Sequence, residues 1–260
     1  MSIFEDHCDA IVAQTDLLAR HIKGAYPSTP VPTCPGWDLG RLLRHVGGDH
    51  RWAEEIVRTR ATGPIAADPL DDPAAYAGLD DSALGGWLVE GAARLAGTLR
   101  AAGPDTRVWT PADEQLVEQS ARFWARRMTY ETLLHRADAA LATGAEFEVE
   151  ERLAVDAVEE WLEFSNVPEA YEPLPGVPEL LGPGHTLRFD AGSAGQWSVD
   201  LTGDRPVWRR GGGAAAATVR GPVRDLLLFL YARPAPAVRT GGDSELLELW
   251  LERTRFWLEA

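Results

Sequence analysis

Glu131, His135 and Asp138 stand four and three residues apart, and with Trp124 and Met128 before them they form one stripe along a helix. The Glu-x-x-x-His spacing puts a carboxylate and an imidazole one turn apart, about 5 to 6 Å between Cβ atoms, so both reach a single cation. Asp138 is placed to orient His135 as an outer partner of such a site. A surface ion pair among Arg126, Arg127 and Arg136 would show the same spacing, so a third ligand is required. Helical bundles take ligands from facing helices, and an earlier helix offers His45 and His50. Leu39, Leu42, Leu43, Val46, Ala53 and Val57 surround His50, whereas His45 lies on the flank. Periodicity favours His50. A histidine on an apolar face is more often a satisfied core residue, however, and a flank position pairs better with the flanking stripe. Both remain candidates.

The elements that must position these residues are helical up to Gly144. Ser2 and Glu5 fit a capping box, and Phe4, Cys8, Ile11, Thr15, Leu18 and Ile22 recur at helical intervals. The proline-rich stretch 27–35 is not helical; Asp38 is the expected N-cap of a second helix running to about Arg60. A third helix starts near Asp80 or Asp81, after a long loop from Thr62 to Leu79, and stops at Gly103. A fourth is expected from about Asp113 to Thr143, with Phe123, Tyr130, Leu134, Ala137 and Leu141 as its apolar face. Beyond Gly144 come a helix at 150–165 and a proline-rich connector. Short alternating strands follow at 185–190, 196–201, 207–210 and 216–220, and helices at 223–231 and 244–258 close the chain. The fold class is α+β, divided into 1–145 and 146–260.

Composition excludes several partners. The 260 residues carry 25 basic and 40 acidic side chains, a formal charge of −15, which repels phosphate backbones and anionic membrane surfaces. No nucleic acid and no membrane are expected. Lys23 is the single lysine. No apolar run is long enough to span a bilayer, and residues 1–23 do not read as a secretory leader, which points to the cytoplasm. Cys8 and Cys34 form no disulfide framework and are read as reduced thiols.

Two separated motifs then carry a resemblance. Cys34-Pro35-Gly36-Trp37-Asp38-Leu39, continuing through Arg41-Leu42-Leu43-Arg44-His45 to Trp52-Ala53, resembles the start of the mycothiol-dependent maleylpyruvate isomerase family. Phe123-Trp124-Ala125-Arg126-Arg127-Met128, with Glu131 and His135-Arg136-Ala137-Asp138, is similar to its second motif. The tail from Ala216 through Arg233 to Gly242-Asp243 is similar to its third part. The resemblance implies a DinB-like four-helix bundle followed by a small sterol-carrier-like α+β domain. It also implies a divalent metal, usually zinc, held by His45, Glu131 and His135; on the second helix it selects His45 over the His50 that periodicity favours.

Two histidines and one glutamate leave a coordination position open, as in catalytic zinc sites. The resemblance supplies the thiol, mycothiol, and metal coordination favours its nucleophilic thiolate. The expected reaction is attack on a small electrophile, either adding and leaving as a cis-trans isomerase or staying on as an S-transferase. Asp138 would prepare the nucleophile through His135, and Arg233, where the family often has arginine, would hold a carboxylate. A metal- or lipid-binding module without catalysis is the competing reading. Trp37 and Trp52 are pocket candidates that more often prove to be core. Cys34, just before a helix N-terminus, is a weaker candidate for ligand or nucleophile.

Overall fold

The computed structural model describes residues 3–65, 83–111 and 118–255. The chain divides into two compact units, 1–147 and 148–260. The first unit is built on α1 (Ile3–His21), α2 (Leu39–Thr59), α3 (Leu84–Ala102) and α4 (Ala121–Thr143). Phe4, Cys8, Ile11, Thr15 and Leu18 are the buried stripe of α1. Asp38 caps α2 by accepting a hydrogen bond from the Arg41 amide at 2.8 Å, and Gly144 closes α4 in the left-handed conformation at φ 70°. The helix starts expected at Ser2 and at Asp80 or Asp81 lie outside the described residues, as does most of the 62–79 loop.

Two apolar clusters show how the helices run. Phe4, Ile11, Ile56, Leu99 and Trp124 join the beginnings of α1 and α4 to the ends of α2 and α3. Leu18, Leu39, Leu42, Leu84, Leu88 and Ala139 join the opposite ends. The helices α1 and α4 are therefore parallel to each other and antiparallel to α2 and α3. The latter pair approach so closely that a Cβ on Gly47 would lie 2.0 Å from the Trp87 ring.

Two expectations for α4 are corrected. It begins at Ala121, because Ser120 is extended (φ −145°, ψ 166°) and pairs with Arg107 instead of entering the helix; the start expected near Asp113 itself lies outside the described residues. Leu141 is 41% exposed although it shares a face with the buried Tyr130, Leu134 and Ala137. Period sets the direction in which a side chain points, but whether the last turn is covered depends on where neighbouring helices end.

The second unit contains α5 (Glu151–Phe164), β1 (Thr186–Asp190), β2 (Gln196–Asp200), β3 (Val207–Arg210) and β4 (Ala217–Arg220). It continues with α6 (Val223–Leu230), β5 (Arg239–Gly242) and α7 (Ser244–Thr254). The sheet order is β3-β2-β1-β4-β5; only β1 and β4 are parallel. Alternation buries Leu187, Phe189, Trp197, Val199, Ala217 and Val219 on one face. The strand β5 lies between α6 and α7, where the sequence shows no strand signal; its Arg-Thr-Gly-Gly run has little strand propensity, and pairing with β4 creates it. This unit is α+β, as expected, and among the described residues no helix is long and apolar enough to cross a membrane.

Candidate metal centre

Local sequence places the side chains before any of them meet. Asp38 starts α2 so that His45 falls in its second turn, and α4 carries Glu131, His135 and Asp138 on successive turns. Because α4 packs against α1 and α2, most of its stripe is covered: His135 is 8% exposed and Asp138 wholly buried, while Glu131 is partly exposed.

The structure brings His45, Glu131 and His135 together, with one ligand atom from each inside a 4.8 Å cluster. Glu131 Oε1 lies 3.1 Å from His45 Nε2 and 2.9 Å from His135 Nε2. Donors around a tetrahedral ion at 2.0–2.1 Å stand about 3.3 Å apart, so the two Glu131–imidazole distances are close to those a zinc-like cation requires. The outer partners fit as well. His135 Nδ1 donates to Asp138 Oδ2 at 3.0 Å, which leaves Nε2 as the ligand atom, and Arg127 Nη2 donates to Glu131 Oε2 at 3.1 Å.

Charge follows from this packing. Burial opposes ionisation of Glu131, but His135, His45 and Arg127 outweigh it and hold the carboxyl well below the usual range. Burial likewise opposes charge on His135; Glu131, Asp138 and Cys34 outweigh it and raise the imidazole well above its ordinary value.

His50 sits elsewhere. It is 1% exposed, and its Nε2 lies 2.8 Å from Thr132 Oγ1. The Thr132 hydroxyl donates to the Met128 carbonyl, so His50 is the donor in that contact. Burial, with Arg51 and His45 against Glu131, pushes its pKa down to about 3. Periodicity thus identifies a core histidine, and the flank position is the one that reaches the stripe. Arg233 belongs to the second unit, in the turn after α6, where Nη1 donates to the Tyr231 carbonyl at 2.7 Å.

Other residues join the cluster. The Trp37 ring stacks on His135 at 6.0 Å and meets His45 edge-on at 5.0 Å, whereas Trp52 belongs to the core. Asp49 Oδ2 lies 3.4 Å from His45 Nε2; its position one turn after His45 was a signal available in the sequence. Cys34 Sγ is 3.5 Å from Asp138 Oδ2, and Cys34, His135 and Asp138 form a second cluster of potential ligands. Thr33 Oγ1 donates to Asp138 Oδ1 at 2.6 Å, a contact that no periodicity marks.

The family model described as "Mycothiol maleylpyruvate isomerase N-terminal domain" matches residues 8–140, just over half of the chain. The chain belongs to this family. All members of the His45, Glu131 and His135 cluster lie within the matched residues. Among solved structures, the crystal structure of the mycothiol-dependent maleylpyruvate isomerase is 16% identical, with a TM-score of 0.64, covering 93% of this chain and 96% of that one. A histidine-to-alanine mutant of that isomerase gives a TM-score of 0.60 at the same identity and coverage. At this identity the likeness establishes the fold that the maleylpyruvate isomerase family shares. A comparison with curated proteins finds no match.

Proposed function

We propose that this protein is a metal-dependent enzyme that uses mycothiol as a nucleophile on a small electrophile, as a cis-trans isomerase of the maleylpyruvate kind. The observation that carries the reading is the convergence of His45 Nε2, Glu131 and His135 Nε2, with His135 Nδ1 already committed to Asp138. His45, Glu131 and His135 would hold the metal, zinc by their donor types. Bound there, the metal supplies stabilisation of a thiolate at neutral pH.

The chain's own residues do the rest. Asp138 keeps the proton on Nδ1 of His135, Arg127 holds the second oxygen of Glu131, and the Trp37 indole shields both imidazoles from water. The thiolate adds to one carbon of a conjugated double bond, the remaining single bond rotates, and expulsion of the sulfur restores the double bond in the other geometry. An S-transferase would keep the same first step and retain the sulfur.

Metal content measured by mass spectrometry on wild type and on His45→Ala, His50→Ala and Glu131→Ala tests the site. We expect about one ion per chain in wild type, retained by His50→Ala and lost by the other two. Adding mycothiol with a cis-configured keto acid and analysing the product by mass then decides the reaction: unchanged mass with changed absorbance is isomerisation, whereas an added mycothiol mass is transfer. No turnover together with co-purified lipid would favour the binding-module reading. Arg233→Ala tests the arginine separately: lost turnover with unchanged metal content assigns it to catalysis, and unchanged kinetics assigns it to the fold of the second unit.

A further inference from the structure

Asp138 is wholly buried, and two elements distant in sequence reach its carboxylate. His135 Nδ1 donates to Oδ2 at 3.0 Å from within α4. Thr33 Oγ1 donates to Oδ1 at 2.6 Å and Cys34 Sγ to Oδ2 at 3.5 Å, both from the segment between α1 and α2. That segment is itself organised. Pro30 bridges Asp38, the Val31 amide donates to the Trp37 carbonyl, and the Leu39 and Gly40 amides donate to Thr29 and Pro27. Gly36 permits the reversal with φ 79°. The same short stretch therefore touches the site twice: through Thr33 and Cys34 on Asp138, and through Trp37 on both imidazole rings.

We propose that Thr33 and Cys34 are positioning residues of the metal site, which hold the carboxylate that holds His135 and thereby couple metal binding to the order of the 27–40 segment. The inference rests on the metal site proposed above and extends it to residues outside the ligand pattern. A hydroxyl donating to a carboxylate makes a short charge-assisted bond, and at a fully buried acceptor water does not replace it. Without that bond Asp138 and the His135 ring gain freedom, and the ligand geometry is no longer preset. Coupling free energy is reciprocal: whatever the ordered segment contributes to metal affinity, a bound metal returns to the segment as order.

The test is zinc affinity by chelator competition on wild type, Thr33→Val, Thr33→Ser and Cys34→Ala, with amide hydrogen exchange over residues 27–40 with and without zinc. Thr33→Val keeps the shape and removes the donor, and it should weaken zinc binding about 10- to 100-fold. Thr33→Ser restores the hydroxyl and should stay within about threefold of wild type; Cys34→Ala should lose less than Thr33→Val, because a thiol is a weak donor. Zinc should slow exchange at the Val31, Trp37 and Leu39 amides in wild type but not in Thr33→Val. Unchanged affinity in Thr33→Val, or equal losses in Thr33→Ser and Thr33→Val, overturns the proposal. So does wild-type zinc binding without protection of those amides, a result that needs no variant to fold. A wild type that binds no zinc overturns the metal site and this inference together, whereas intact wild-type binding with insensitive Thr33 variants overturns the inference alone.

Discussion

Both units set carboxylates against nitrogen donors, and Glu159 and Glu131 show two different settings. In the second unit Glu159 accepts from Trp197 Nε1 at 2.8 Å and from Arg210 Nη2 at 2.8 Å, and Asp225 accepts from Arg224 at 2.9 Å. Indole and guanidinium nitrogens keep their protons, so those contacts are complete as they stand. In the first unit Glu131 faces two imidazole nitrogens, and an imidazole that loses its proton presents a lone pair to a metal. An acid beside fixed donors joins a helix to a sheet; beside imidazoles it offers one corner of the cation site proposed above.

The most drastic way to break this contrast is to exchange the acids for amides. Glu131→Gln should weaken zinc binding by more than the roughly 100-fold that outer-partner changes produce. Glu159→Gln should leave zinc affinity unchanged and lower stability by about 1–3 kcal/mol in thermal unfolding. Equal zinc affinity in the two variants would erase the distinction. Gly242→Ala probes the second unit alone. Its φ of 83° and a Cβ only 2.1 Å from the Ala216 carbonyl oxygen make any side chain costly. The expected loss exceeds about 1–2 kcal/mol, read from the melting transition, with zinc affinity intact.

Within α2 the contrast recurs between His45 and His50. The His50 pKa is about 3 in the folded protein against 6.5 for a free histidine side chain, so the unfolded chain takes up more protons between those values. Stability is therefore full above pH 6.5 and falls as pH drops toward 3, with a slope approaching about 1.4 kcal/mol per pH unit. Denaturation across that window should show a flatter acid limb in His50→Gln. The smallest effect concerns the cysteines. Cys8 is wholly buried, and burial pushes its thiol up to about 11, whereas Cys34 is partly exposed. Iodoacetamide should add one group to the native protein, at Cys34, by peptide mass mapping; faster labelling of Cys8 would contradict the packing of α1.

Much of this protein was legible in residue order because the information is local. The Glu131, His135 and Asp138 stripe needs only the helical period, the start of α2 needs only Asp38, and β1, β2 and β4 show alternation between turn residues. Where the determinant is another segment, the sequence was silent. The start of α4 depends on Ser120 pairing with Arg107, and β5 exists through its hydrogen bonds to β4. The choice between His45 and His50 is of the same kind: each lies on a plausible face of α2, and only the packing of α2 against α4 directs one to Glu131 and the other to Thr132. Thr33 reaches Asp138 across 105 residues. By itself the sequence determined which chemical groups share a helix face; the tertiary structure decided which faces meet, because ligand convergence is a property of distances between helices and not of spacing along one.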